Sequence, residues 1–202
     1  MSNTTTFKAR AQSIANISSE ISASILVKQA IMDDESILIQ ISTLAVTCIQ
    51  SLSGGGKIIF AGNGGSFADA QHLSAEFTSR FRIDRPPLKS LALGTNNSAI
   101  SAIGNDYGYE EVFSRELLGI ANAQDIFIPI STSGNSLNIV SSVETGLSIG
   151  MTIVGLTGKS GGRIAELCEC IRIPSVETAR IQECHIMVGH ILCGLVEEEM
   201  YK

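Results

Sequence analysis

The feature that most constrains this chain is an apolar, strand-like run that breaks into a glycine loop and restarts as a helix. Lys57-Ile58-Ile59-Phe60-Ala61 reads as a strand buried on both faces, Gly62-Asn63-Gly64-Gly65-Ser66 as its loop, and Phe67–Ser79 as the helix. Leu88–Leu93 opens a second such unit, with helical sequence after Asn96. Pro86-Pro87 bars any helix from running into that strand. A further helix is expected over Tyr109–Ala121. Asp125–Ile130 is a third strand, Ser131–Ser136 its loop and Leu137–Ile149 its helix, with Pro129 an awkward member because it has no N–H for a ladder. Met151–Leu156 makes a fourth strand, Gly158–Gly162 another glycine loop, and Cys170–Ile173 a short fifth strand before a closing helix from Glu177. This alternation predicts the α/β class, with a parallel sheet covered by helices on both faces.

Ahead of that core, Ile14, Ile17, Ile21 and Ile25, then Ile37, Ile39, Ile41, Leu44 and Ile49, recur at helical spacing. Two helices are expected, the second stopped by Ser53-Gly54-Gly55-Gly56. The chain therefore divides into an amino-terminal, oligomer-forming helical extension over 1–53 and a core with its closing helix over 54–202, within one domain spanning 1–202. On the closing helix, Ile181, Ile186, Met187, Val188, Ile191, Leu192, Leu195 and Val196 cover more than one face. A helix apolar nearly all round is buried nearly all round, and one small sheet cannot enclose it, so its surplus surface is expected to meet other copies of the chain.

Composition excludes several function classes. With 44% hydrophobic and 17% charged residues, the chain is too apolar to be disordered over most of its length. The longest largely apolar stretch is taken to be Cys184–Val196, which contains His185 and His190 and stops at Glu197-Glu198-Glu199, so the chain is not expected to span a membrane. Met1–Lys8 lacks the apolar core of an export signal, which points to the cytoplasm. The formal charge is −6 and no stretch gathers the basic residues into a stripe, which argues against nucleic acid as a direct partner. The cysteines, at 48, 168, 170, 184 and 193, are odd in number, and Cys168-Glu-Cys170 is too tightly spaced for a common zinc hook. Buried, reduced thiols are expected.

Two loops can hold an anion. Gly62–Ser66 joins a buried strand to a helix start, where free N–H groups and the helix dipole attract negative charge. It is neither a Walker loop nor a dinucleotide fingerprint. Ser131-Thr132-Ser133-Gly134-Asn135-Ser136 packs four hydroxyls into the same kind of junction. The plainer alternative is that Ser133, Asn135 or Ser136 only caps the helix. Two such loops at the carboxyl ends of one parallel sheet favour a crevice for a small phosphorylated metabolite.

Proton or metal chemistry has fewer signals. His72 and Glu76, four apart, share a helix face and suit metal binding, proton transfer or an ordinary ion pair. Gln182, Glu183, His185 and His190 interrupt the apolar closing helix, where polar groups must find partners; an intersubunit hydrogen bond would satisfy His190. Gln182 and His190 stand about 12 Å apart along the axis and about 80° apart around it, so His185 is the nearer neighbour by periodicity.

Taken together, these motifs resemble the phosphoheptose isomerases within the sugar isomerase (SIS) fold. The likeness is densest in Ala61–Ser66, Asp69-Ala70-Gln71-His72, Gly104-Asn105-Asp106-Tyr107-Gly108, Ile130–Ser136, Leu156-Thr157-Gly158 and Arg180-Ile181-Gln182-Glu183. It implies a SIS-type, flavodoxin-like five-stranded parallel sheet and a cytoplasmic homotetramer. Its activity would be to interconvert sedoheptulose 7-phosphate and D-glycero-D-manno-heptose 7-phosphate, the first step toward heptose for lipopolysaccharide or capsule. By position it implies that Asn63, Gly64, Gly65, Ser66, Asn105 and Asp106 contact substrate, together with Glu76 and Gln182. Ser131, Thr132, Ser133 and Ser136 would hold the phosphate. Zinc, one Zn2+ per subunit, would sit on His72, Glu76, Gln182 and His190; it is the resemblance that selects His190 over His185. Glu76 is the implied base and His190 the implied acid of an enediol isomerisation.

Two departures stand near the crevice. Thr95-Asn96-Asn97 lies where many relatives have an acidic residue after the threonine, and Phe67 follows the first loop where a smaller or more polar residue is common. Both are expected to bear on sugar preference. Two other readings compete: a non-catalytic SIS-fold regulator resembling the initiator-associating proteins of bacterial replication, and an isomerase of another phosphosugar. Such regulators lack the histidine matching His190, which weighs toward an enzyme.

Overall fold

A computed structural model describes the backbone of residues 2–202 and the side chains of residue 10 and of residues 12–202. The side chains of Met1–Lys8, on which the export-signal expectation rests, lie outside the described residues. Helix α1 runs over Ser2–Met32 and α2 over Glu35–Ser53. Asp34 starts α2, its carboxylate accepting the Ser36 and Ile37 amides at 2.9 and 3.4 Å. Along α2, Ile37, Ile41, Leu44, Ala45 and Cys48 are buried, one face of a 3.6-residue repeat.

Eight elements build the core up to the last strand: β1 (Ile58–Gly62), α3 (Gly65–Thr78), β2 (Ser90–Ala92), α4 (Asn97–Asp106), α5 (Val112–Ile120), β3 (Ile126–Ser131), α6 (Leu137–Ile149) and β4 (Thr152–Thr157). A 3-10 turn, Tyr109–Glu111, precedes α5. Short α7 (Ile164–Leu167), β5 (Glu169–Arg172) and the long α8 (Thr178–Met200) complete the chain. The strands are parallel in the order β2-β1-β3-β4-β5. In this doubly wound order the direction of travel reverses between β1 and β3, so a crevice opens beyond their carboxyl ends.

Strand alternation divides the core into two layers. Ile58, Phe60, Ile126, Ile128 and Ile130 face a layer that includes Leu44, Leu73, Phe77, Val188 and Leu192, from α2, α3 and α8. Ile59, Ala61 and Phe127 face Phe113, Leu117, Ile139 and Val143 from α5 and α6. Pro129 does lie within a central strand. The ladder from β3 to β1 runs through it, opposite Ala61, whereas pairing with β4 is interrupted at Ile128 and Pro129. The proline is tolerated because its missing N–H falls where the ladder is already open.

Among the described residues, α2 is the helix long and apolar enough to cross a membrane, a stretch that reading of Cys184–Val196 alone overlooked. Its buried stripe packs in the core layer with α8. By contrast Ile14, Ile17, Ile21 and Ile25 on α1 are each more than half exposed, and Ile191 and Leu195 leave an apolar side of α8 open. The expected departures have structural duties. The side chain of Asn96 caps α4 by accepting the Ser98 and Ala99 amides, as an acidic residue would. Phe67 packs against Gly94. All five cysteines are free, four of them buried and Cys168 half-buried.

Candidate active site

The loop after β3 is held by the loop after β4. The Gly158 N–H donates to the Thr132 carbonyl at 3.0 Å, and the Ile164 N–H to the Gly134 carbonyl at 3.1 Å. Gly134 has φ of +66°, and a Cβ there would come within 1.9 Å of the Gly161 carbonyl oxygen, so glycine is required. Inside the loop, Ser131 Oγ accepts the Gly134 N–H at 3.2 Å and lies 3.4 Å from Ser136 Oγ. Ser133 Oγ accepts the Asn135 N–H, and Asn135 Oδ1 accepts the Arg163 N–H.

Ser136 occupies the N-cap of α6, yet its side chain makes no capping bond. The plain capping reading therefore fails for this helix, and ahead of the Ile139 and Val140 amides, which donate to the Ser136 carbonyl, its first two amides lie beside the hydroxyls of Ser131, Thr132, Ser133 and Ser136. A parallel situation holds across the crevice, where Gly64 caps α3 with no side chain at all, ahead of Gly65 and buried Ser66.

The two loops are joined directly. Asn63 Nδ2 donates to Asn138 Oδ1 at 2.8 Å, and Asn138 Nδ2 donates back to Asn63 Oδ1 at 2.9 Å. The Tyr109 hydroxyl adds a bond to Asn63 Oδ1 at 3.3 Å. Asn105 and Asp106 end α4 exposed, Asn105 Nδ2 donating to Asp106 Oδ1 at 2.8 Å.

A side-chain cluster forms where α3 lies beside α8. Gly65 on α3 faces Gln182, Leu73 faces Gly189, and His72 faces His190, so the two helices run in parallel register. A Cβ on Gly189 would meet Leu73 Cδ2 at 2.4 Å; the glycine permits the close approach. His72 Nε2 and His190 Nε2 are 2.8 Å apart, and His72 Nε2 is 3.3 Å from Glu76 Oε1. One donor atom from each of His72, Glu76 and His190 lies within 4.8 Å of the others. Two imidazoles and a carboxylate are the donor chemistry of open zinc sites, and the closeness of these three donors fits a small cation. Gln182 stands elsewhere, its amide against Gly65, about two helical turns from His72 along α3.

The surroundings of His190 disfavour its charged form. Burial, and next the neighbouring His72, pull its pKa below the usual imidazole value, while Glu76 acts the other way. The Phe81 ring stacks on His190 with centroids 5.6 Å apart and planes 22° apart. The segment carrying Phe81 is pinned by Glu197, which accepts the Phe81 and Arg82 amides at 3.0 and 2.7 Å and pairs with Arg85 Nε at 2.9 Å. Arg85 Nη2 in turn donates to the Glu76 carbonyl at 2.9 Å. One buried ion pair thus ties the backbone of Glu76 to the aromatic lid over His190.

His185 does something different. It is fully buried, its Nε2–H donates to the Thr157 carbonyl at 3.2 Å, and burial pushes its pKa down to about 4. It belongs to the core and stands apart from the cluster of His72, Glu76 and His190. Phe81, Asn138 and Tyr109 were not anticipated from sequence. Only Asn138 carried a signal, as a poor helix former inside a helix start.

This architecture is that of a sugar-phosphate-binding α/β protein of the SIS class: residues 22–158 match the SIS domain model. The chain is 54% identical to the phosphoheptose isomerase of Aneurinibacillus thermoaerophilus over 187 residues, 92% of this chain and 94% of that one. Among solved structures, a phosphoheptose isomerase from Francisella tularensis superposes with a TM-score of 0.87 at 34% identity, covering 92% of this chain and 98% of the other. One from Neisseria gonorrhoeae gives 0.83 at 38% identity, covering 91% and 98%. The chain belongs to the phosphoheptose isomerase family.

Proposed function

We propose that this chain interconverts sedoheptulose 7-phosphate and D-glycero-D-manno-heptose 7-phosphate through an enediol, supplying heptose for lipopolysaccharide or capsule. The observation that carries this reading is the meeting of His72, Glu76 and His190 from two helices that flank a sheet whose loops leave amides and hydroxyls unspent. In this reading Ser131, Thr132, Ser133 and Ser136 grip the phosphate. Asn63, Gly64, Gly65, Ser66, Asn105, Asp106 and Gln182 surround the sugar.

Isomerisation of the ketose removes a proton from C1, forms the C1–C2 double bond and adds a proton to the C2 oxygen. Glu76 takes the C1 proton and His190 serves the oxygens; the O1 proton then leaves and Glu76 returns its proton to C2. His72, Glu76 and His190 would hold one zinc ion per subunit, whereas Gln182, which the resemblance assigns to the same ion, stands about two helical turns away against Gly65. A zinc ion there supplies Lewis-acid polarisation of substrate oxygens. A carboxylate committed to a cation is a weaker base, so Glu76 performs one task at a time.

The exposed apolar stripes of α1 and α8 support a homotetramer, and the same reading carries a cytoplasmic setting. Incubation with sedoheptulose 7-phosphate and detection of an aldose 7-phosphate tests the proposal. Binding of the sugar phosphate without any aldose would overturn it in favour of a non-catalytic role, and turnover of a different ketose phosphate alone would reassign the substrate.

A further inference from the structure

We infer that Asn138 is a positioning residue that, with Tyr109, forces Asn63 to face the ligand only as a hydrogen-bond donor. A primary amide offers two N–H donors and two acceptor lone pairs on its oxygen. On Asn63 both lone pairs are spent, one on the Asn138 Nδ2–H at 2.9 Å and one on the Tyr109 hydroxyl at 3.3 Å. One N–H is spent on Asn138 Oδ1 at 2.8 Å. A single N–H remains. Asn138 is 4% exposed, so the reciprocal pair is shielded from water on its side, and rotating the Asn63 amide away would leave a buried amide unpaired.

The chemical consequence is selectivity by polarity. An amide free to turn would accept from a sugar hydroxyl as readily as it donates to an oxygen. This one can only donate, so it favours a ligand oxygen without a proton, and above all one that gains negative charge as C1 is deprotonated. The same pair couples the loop after β1 to the first turn of α6, which follows the hydroxyl-rich loop. Phosphate seating and carbonyl recognition thereby share one rigid link. This inference rests on the reading of Asn63 as a substrate contact.

The test compares two ligands and five proteins: wild type, Asn138→Ala, Tyr109→Phe, Asn63→Ala and the double variant Asn63→Ala with Asn138→Ala. One ligand is a phosphorylated sugar-acid hydroxamate, whose anionic oxygen mimics the enediolate; the other is the corresponding polyol phosphate. Asn138→Ala is expected to weaken the hydroxamate about tenfold and to leave the polyol phosphate nearly unchanged, with kcat falling more than KM rises. In the Asn63→Ala background the Asn138→Ala change should cost nothing further. Tyr109→Phe, at an exposed residue that leaves the core untouched, should show a smaller loss of the same selectivity.

Equal weakening of both ligands, or additive losses in the double variant, would reduce Asn138 to a packing role and overturn the inference. The measurement separates the two proposals. A wild type that fails to turn over sedoheptulose 7-phosphate refutes the substrate assignment, whereas the hydroxamate-to-polyol ratio still decides whether Asn63 is held as a donor.

Discussion

His72 Nε2 and His190 Nε2 stand 2.8 Å apart although 118 residues separate them in the chain. At that distance the two ring nitrogens are within hydrogen-bond reach, the donor and acceptor roles being set by the tautomers. Close packing of α3 on α8 creates the contact, and Gly189 against Leu73 permits that packing.

Adding a single methyl at that point should therefore be costly. Gly189→Ala places a Cβ against fully buried Leu73 and should destabilise the fold by about 1–3 kcal/mol. Isomerisation should fall by more than the loss of folded protein accounts for. Denaturant unfolding together with activity per folded molecule checks this; unchanged stability would mean that the helices have slack to separate.

Glu76→Gln keeps the size of the side chain and removes its basicity. Isomerisation should drop by about 10²–10⁴, while binding of the sugar phosphate, followed calorimetrically, stays measurable. Full turnover in this variant would assign the C1 proton to another group.

Chelation should abolish turnover, and zinc added back should restore it. His190→Gln should lower zinc retention as well as rate, which metal analysis of the purified variant measures. A variant holding zinc at wild-type occupancy would remove His190 from the donor set.

Ser133→Ala removes an exposed hydroxyl that accepts the Asn135 N–H at 3.2 Å. KM should rise about tenfold with kcat little altered, the signature of a group that binds ground state and transition state alike. An unaltered KM would move the phosphate off this loop.

His185 gives the fold an acid-sensitive step. Its folded-state pKa of about 4 lies below the unfolded value of 6.5, so the unfolded chain binds the proton more readily. Stability is fully present above pH 6.5 and is lost as pH falls from there through about 4, by up to about 3 kcal/mol. His185→Gln keeps a donor toward the Thr157 carbonyl but cannot titrate. Its unfolding free energy should be flatter than that of the wild type across this window, and an identical slope would point to another group.

Much of this molecule is legible without coordinates because the information is local. Apolar runs ending in glycine or serine loops mark β1, β3 and β4, and the predicted Leu137–Ile149 helix coincides with α6. Turn chemistry and side-chain period act over a few residues, so they survive in a linear reading. Even the hydroxyl-rich Ser131–Ser136 loop is recognisable, because its anion-binding groups are neighbours in the chain.

What the linear order could not decide is which faces meet. His185 and His190 lie on one helix, and periodicity favours His185 as the partner of Gln182; only the packing of α8 turns His185 into the core and His190 toward His72. The Asn63–Asn138 pair and Phe81 over His190 are likewise products of tertiary register. The physical reason is one of range. Propensity and period act within a segment, whereas the relative placement of two helices is set by burial summed over side chains far apart in the chain, and that sum exists only in the folded molecule.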